Sequence, residues 1–305
     1  MEIALVTILG NLDVISFHGN EKAIISDVVA LDNGVILETS ILWCSDKFRE
    51  KLQKLTCGTV LVSEETYTWV LSLADQKSGV NWIVVKNPRA AFSKVLSVHF
   101  YKPVVYGLVA ESAKIHSSVQ FNPEQVNIGE NVVIEEGVII GDQVKIGHNT
   151  VILADCELGD HVKIGNNSTI GGVGFGYEAD SNGVYQVIPH IGNVVLKDYV
   201  EVGNGVAIDR AVLGSTLLME HVKVDNLVHI SHGVQIGKNS LIIANAMIAG
   251  SCEIGENVWI SPSSSLIQKV KIGDNALVGV GSVVLKDVAE STIVAGVPAK
   301  KIKDK

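Results

Sequence analysis

The chain has 305 residues, 47% of them apolar but only 5% aromatic, which is enough for a sizeable core and about two domains built of Val, Ile and Ala rather than rings. That bias suits narrow, closely stacked coils with no room inside for large aromatics. A net charge of −9 argues against a nucleic-acid partner held through its phosphates.

The N-terminus, MEIALVTILGNLDVISF, has no basic segment and no small-residue cleavage site, and no run in the chain reaches the roughly 18 apolar residues of a membrane span. The expected location is the cytoplasm. Cys44, Cys57, Cys156 and Cys252 show no CxxC pairing and lie in apolar surroundings, as reduced core residues would.

Residues 1–103 carry no six-residue repeat. Strands are expected at 4–9, 23–26, 34–37, 59–62 and 82–85. Helices are expected at 46–55, behind a capping Ser45, and at 88–98, opened by Asn87 and Pro88. The alternation predicts a small α/β domain over 1–103.

From residue 115 the texture changes. Ile128, Ile134, Ile140, Ile146, Ile152, Leu158, Ile164 and Ile170 keep a step of six, and the phase resumes at Leu196, Val202 and Ile208. After a short insertion it continues from Leu218 to Val284. Such a repeat predicts a parallel β-helix over 104–288, with one aliphatic per unit pointing inward and stacking on its equivalents. The polar, Gly-rich stretch 171–193 is expected to leave the coil as a mobile loop over a cleft, and 289–305 to close the end. Its GGVGFG is not a dinucleotide fingerprint, because position 177 is Tyr and no crossover helix follows.

The stretch 222–250 carries the candidate chemistry. His232 and Gly250 are both third residues of their units, three units apart. If three units make one turn, the imidazole and the glycine backbone sit on neighbouring coils, roughly 4.8 Å apart. A base facing a backbone N–H is the start of an acyl-transfer site. His229, three residues before His232, falls at a sixth position and so on another face of the coil, which together with the lack of Cys or carboxylate company argues against a metal. A solvated corner histidine is the competing reading for His229. Asp225 and Asn226, one unit earlier, occupy a different corner, where polar turn formers are common.

With these features placed, the chain resembles the UDP-3-O-acylglucosamine N-acyltransferases of lipid A synthesis, up to about residue 275. The resemblance rests on IGGVGFG with IPHIG, AIDRAVLGST, KVDNLVHISHGVQIG, and, in the first domain, ILWCSDKFREKL and VVKNPRAAFSKVL. It implies a left-handed parallel β-helix, a homotrimer with active sites in clefts between subunits, and an N-terminal domain that stacks the uracil of a nucleotide sugar on aromatic side chains. Position by position, it implies that His232 is the catalytic histidine, Gly250 the oxyanion-binding backbone, and Asp225 and Asn226 substrate contacts. The nucleobase aromatics fall near Leu42 or Trp43 and on Phe48, with a polar contact at Ser45.

The chain departs from that family at Lys269, where a second histidine is expected, at Gly233, where the family has Asn, and at Ser45, also Asn there. His229 and Lys269 join the candidate substrate-binding residues. The tail VGVGSVVLKDVAESTIVAGVPAKKIK looks like the closing segment of acetyl-CoA-dependent hexapeptide transferases. The expectation is therefore an N-acyltransferase moving an acyl group from acyl-CoA, rather than acyl carrier protein, to the amine of a dTDP- or UDP-linked deoxyamino sugar for surface polysaccharide such as O-antigen. Two alternatives stand beside it: the lipid A enzyme proper, fed by hydroxyacyl carrier protein, and a non-catalytic trimeric β-helix binding module. No metal is expected in any of the three.

Overall fold

The computed structural model describes residues 2–32, 34–73, 79–102 and 104–305. The chain divides into two compact units, Met1–Val104 and Val105–Lys305; residue 103, the expected boundary, lies outside the described residues.

The first unit is built on a five-stranded sheet in the order Val14–His18, Val80–Val85, Gly58–Val62, Ser40–Trp43, Asp27–Val28. Only the first pairing is antiparallel. Alternation sends Leu42, Val60, Val62 and Val84 to one face and Ile41, Leu61, Ile83 and Val85 to the other, and each set belongs to its own buried cluster. Burial on both faces is why these strands read as unbroken apolar runs. Helices Glu64–Leu71 and Pro88–Val95 and the 3-10 segment Asp46–Lys54 complete the unit. Asn87 caps its helix by accepting the Ala90 N–H at 3.1 Å.

Residues 4–9 form the end of a short strand, Ile3–Ala4, and then the helix Leu5–Leu9, which buries Leu5 and Ile8 at helical spacing. A short apolar run reads equally well as either element. Residues 34–37 are not a strand. Val35 and Leu37 are exposed there and only Ile36 packs against the core, and the strand is Ser40–Trp43. Ser45 makes no side-chain cap. The strand Val14–His18 and the helix Glu64–Leu71 had no counterpart among the expected elements. Cys57 is half-buried rather than in the core.

The second unit is a parallel β-helix with three faces. Strands of two residues per unit stack in register, as in His229↔Met247 and Ile230↔Ile248. Partners are 18 residues apart in regular coils, 38 across the first insertion and 22 across the second. Two residues per unit point inward, not the expected one, and in many units both are aliphatic. Val132 with Ile134, Val138 with Ile140 and Val144 with Ile146 are all 4% exposed or less. Each inward Ile or Val contributes roughly 1.5–3 kcal/mol of apolar burial. The fourth residue of a unit turns the corner in a left-handed conformation. Asn131, Asn149, Asn167, Asn239, Asn245, Asn257 and Asn275 all hold φ between 56° and 60°, a region Asn tolerates better than most side chains.

The insertion after Thr169–Gly172 is not a featureless loop. It carries an antiparallel hairpin, Tyr177–Ala179 with Tyr185–Val187, and rejoins the coil at Asn193–Leu196. At the C-terminus Thr292–Ala295 adds to the parallel stack, and Lys300–Asp304 folds back antiparallel on it.

Candidate active site

Within the unit Ile230-Ser231-His232-Gly233, Ile230 is fully buried and His232 stands at the corner. Gly233 turns the chain at φ +69°. This is the left-handed position that Asn fills elsewhere in the coil, so the Asn-to-Gly departure leaves the backbone path intact. One coil on, the Ser251 N–H donates to the His232 carbonyl at 2.9 Å and pins the two corners together. A β-carbon built on Gly250 would lie 2.7 Å from both Cε1 and Nε2 of His232, so the reactive edge of the imidazole rests directly on the glycine backbone.

Among the described residues the Gly250 N–H has no hydrogen-bond acceptor. At Asp142, Asn166 and Glu256, third residues of units on the other corners, the same N–H is taken by an Asp or Asn side chain one coil on, at 2.7–2.8 Å. The residue one coil on from Gly250 is Gln268, which makes no such bond among the described residues. The site thus offers a ring nitrogen and a free backbone donor side by side, the two groups needed to deprotonate an attacking nucleophile and hold the oxyanion it generates. Burial first, and then the neighbouring His190, push the His232 pKa below the ordinary histidine value, which favours the neutral base.

His190, in the IPHIG that carries part of the resemblance, is a site residue that the repeat pattern does not mark. It is 7% exposed, and its ring meets that of His232 edge-on, with centroids 5.1 Å apart and planes at 75°. The GGVGFG segment of the insertion passes over both rings. A β-carbon at Gly174 would lie 2.7 Å from His190 Nε2 and 3.0 Å from His232 Cβ, and one at Gly176 would lie 3.0 Å from His190 Cε1. These glycines therefore permit a close approach to two imidazoles. A second histidine beside a Gly-only crossing was the available signal.

Behind this pair, Asp209 is 8% exposed, and burial raises its carboxyl pKa against the opposing pull of His229 and His190. His229 Nε2 lies 3.4 Å from Asp209 Oδ2 and 3.0 Å from Ser231 Oγ. His229 thus stands beside a carboxylate while its side chain stays 43% exposed. Among the described residues no group of three or more His, Cys, Asp or Glu is placed to hold a metal ion, and no helix is long and apolar enough to cross a membrane.

Asp225 and Asn226 are not brought to His232 within one chain. They turn the preceding corner, where Asn226 Oδ1 accepts from Asn204 N and Nδ2 at 2.7 and 2.9 Å and Asp225 Oδ2 accepts from Ala244 N at 3.2 Å. Lys269 is exposed at a left-handed corner, φ +65°, with its N–H on the Gly250 carbonyl at 3.0 Å. It lies one coil beyond the His232–Gly250 pair.

In the first unit, Trp43, Ser45, Phe48 and Phe92 line a cavity of about 380 Å³ together with residues 28–32. Leu42 is fully buried in the core, so of the two positions raised by the resemblance only Trp43 faces this cavity. Lys51 Nζ stands 4.7 Å from the Phe48 ring centroid.

The bacterial transferase hexapeptide (six repeats) profile matches residues 137–172 and 251–286. A relative from Campylobacter lari, named UDP-3-O-acylglucosamine N-acyltransferase, is 42% identical over 255 residues, covering 78% of this chain and 75% of that one. A relative of the same name from Coxiella burnetii is 35% identical over 223 residues, covering 67% of this chain and 63% of its own length. Among solved structures, LpxA from Acinetobacter baumannii aligns with a TM-score of 0.59 at 22% identity, over 64% of this chain and 73% of that one. UDP-N-acetylglucosamine acyltransferase from Campylobacter jejuni aligns at 0.57 and 21%, over 63% and 73%. These two structures bear on the fold alone, a left-handed parallel β-helix.

The relatives overturn the expectation of an acyl-CoA-dependent transferase for a deoxyamino sugar of surface polysaccharide. Its acceptor rested on the departures at Lys269, Gly233 and Ser45, and its donor on the tail, which here forms a hairpin on the last coil. Such a cap closes the open end of any solenoid and carries no information on the donor. With 42% identity spread over most of both chains, this acyltransferase belongs to the UDP-3-O-acylglucosamine N-acyltransferase family.

Proposed function

We propose that the protein transfers an acyl group from an acyl carrier protein thioester to the amine of UDP-3-O-acylglucosamine. The observation that carries this reading is the contact of the His232 imidazole with the Gly250 backbone, whose N–H is unclaimed among the described residues. Neutral His232 takes a proton from the amine as its nitrogen attacks the thioester carbonyl. The Gly250 N–H then holds the oxyanion, a contribution on the order of 3 kcal/mol for one donor. Collapse of the tetrahedral intermediate breaks the C–S bond, and the imidazolium returns its proton to the leaving thiolate. No acyl-enzyme is formed.

Trp43 and Phe48 stack the nucleobase, with Ser45 as its polar contact, in the cavity of the first unit. Asp225 and Asn226, on a corner away from His232, contact substrate in a cleft completed by another copy of the chain in a homotrimer. His229 and Lys269, on either side of the His232–Gly250 pair, serve the acceptor and its pyrophosphate.

The test is product formation by purified protein with UDP-3-O-acylglucosamine and either hydroxyacyl carrier protein or the matching acyl-CoA, followed by mass spectrometry. Rapid N-acylation from the carrier protein and a rate loss of roughly a hundredfold or more in a folded His232→Ala variant are expected. Faster transfer from acyl-CoA, or a near-normal rate without the histidine, refutes the proposal.

A further inference from the structure

Two buried side-chain polar atoms among the described residues lack a hydrogen-bond partner, His190 Nε2 and Glu220 Oε2, and the second faces Lys238 Nζ at 3.4 Å. The first has no such explanation. His190 Nδ1 lies 2.7 Å from the Ile188 carbonyl oxygen, which can only accept, so Nδ1 carries the proton and Nε2 presents a bare lone pair. An unpaired buried acceptor costs stability, and an apolar ring of the same size would fill the space without that cost.

The unpaired nitrogen lies on the side of the ring that faces the candidate base. A single point, the β-carbon position of Gly174, lies 2.7 Å from His190 Nε2 and 3.0 Å from His232 Cβ, so the unpaired nitrogen and the root of the His232 side chain flank the same small space. The two rings are not hydrogen-bonded as they stand, but their centroids, 5.1 Å apart, are at the separation that an N–H···N bond of about 2.9 Å between two imidazoles would span. In a histidine base the nitrogen that does the chemistry is selected by the bond the other nitrogen makes. Among the described residues His232 has no carboxylate or carbonyl in that role.

We infer that His190 is the positioning residue for His232: its Nε2 accepts the His232 Nδ1–H and leaves His232 Nε2 unprotonated against Gly250. A turn of the His232 ring about Cβ–Cγ closes the bond, and the imidazolium formed during transfer keeps donating to it. The inference rests on His232 acting as the base.

The test compares His190→Phe, which keeps the ring volume and removes the acceptor, with His190→Gln, which supplies an amide oxygen. In the full-length wild-type protein without substrate, 15N NMR of labelled histidines, with the His232 signals assigned by His232→Ala, should show His232 protonated at Nδ1. In the Phe variant the signal should move to the Nε2–H tautomer. The Phe variant should lose about 10–100-fold in kcat with KM unchanged, as for other groups that orient a working imidazole, and Gln should recover part of that loss. An Nε2–H tautomer in the wild-type protein overturns the inference whether or not the variants fold. So does a Phe variant with full kcat, or Phe and Gln variants equally slow with the tautomer unmoved. Turnover surviving in His232→Ala would instead defeat the assignment of the base, while the tautomer measurement would still read the bond between the two rings.

Discussion

Gly250→Ala is the sharpest test of the His232–Gly250 pair, because the structure says where its cost falls. Gly250 has an ordinary backbone conformation, so alanine adds no left-handed strain, and its N–H is retained. The added methyl would sit 2.7 Å from His232 Cε1 and Nε2 and 3.3 Å from Cδ2. Non-bonded carbons rest at about 3.5–4.0 Å, so the ring tip must retreat by about 1 Å. The atoms in the way belong to a side chain rather than to the coil, so the penalty appears as a misplaced base and not as an unfolded protein. A displacement of that size costs on the order of a hundredfold in rate. The assay is steady-state N-acylation of UDP-3-O-acylglucosamine, with thermal denaturation alongside. The expected result is kcat down roughly a hundredfold, KM within about threefold, and Tm nearly unchanged. Gly233→Ala is the control. There the methyl meets nothing closer than Ser251 Oγ at 3.5 Å, but the residue holds φ +69°, so stability should fall while most turnover survives. A Gly250→Ala enzyme that is folded and fully active would refute the reasoning.

The pH profile follows from the lowered pKa of His232. The acid limb of kcat/KM should fall below the usual histidine value of about 6.5, and a limb above it contradicts the burial argument. The same depression makes His232 oppose folding in acid: the unfolded chain takes up its proton near pH 6.5 while the folded chain does not, so this contribution to stability is present above that pH and declines as pH falls through it. Phe48→Ala, at a half-exposed position, should raise KM for the nucleotide sugar about tenfold through loss of a base stack, with Tm little changed; an unchanged KM would remove the ring from the acceptor site. Asn226→Ala should lower Tm by about 2–6 °C, since it removes the acceptor of two bonds from Asn204 at about 1 kcal/mol each. A rise in KM beyond that would assign the side chain to substrate as well.

What the sequence determined by itself is the coil and the pairing of His232 with Gly250. Both follow from counting, because a six-residue unit repeated three times per turn places residues 18 apart in contact whatever the rest of the chain does. Composition pointed the same way, since Val and Ile with few rings leave little else that such narrow coils could bury. The N-terminal elements were less legible. Runs such as Leu5–Leu9 are apolar throughout, and without periodicity only packing decides between helix and strand.

The tertiary structure alone decided the surroundings of the base. His190 lies 42 residues before His232, in an insertion outside the register, so no repeat arithmetic brings it to the site. It arrives because Gly174 and Gly176 let the returning chain close over two imidazoles. The approach of His229 to Asp209 and the choice of Trp43 over Leu42 are likewise matters of which side of a strand or coil meets which neighbour. Periodicity sets contacts between equivalent positions of a solenoid. Contacts made by segments that leave it depend on distances in space that only the folded chain supplies.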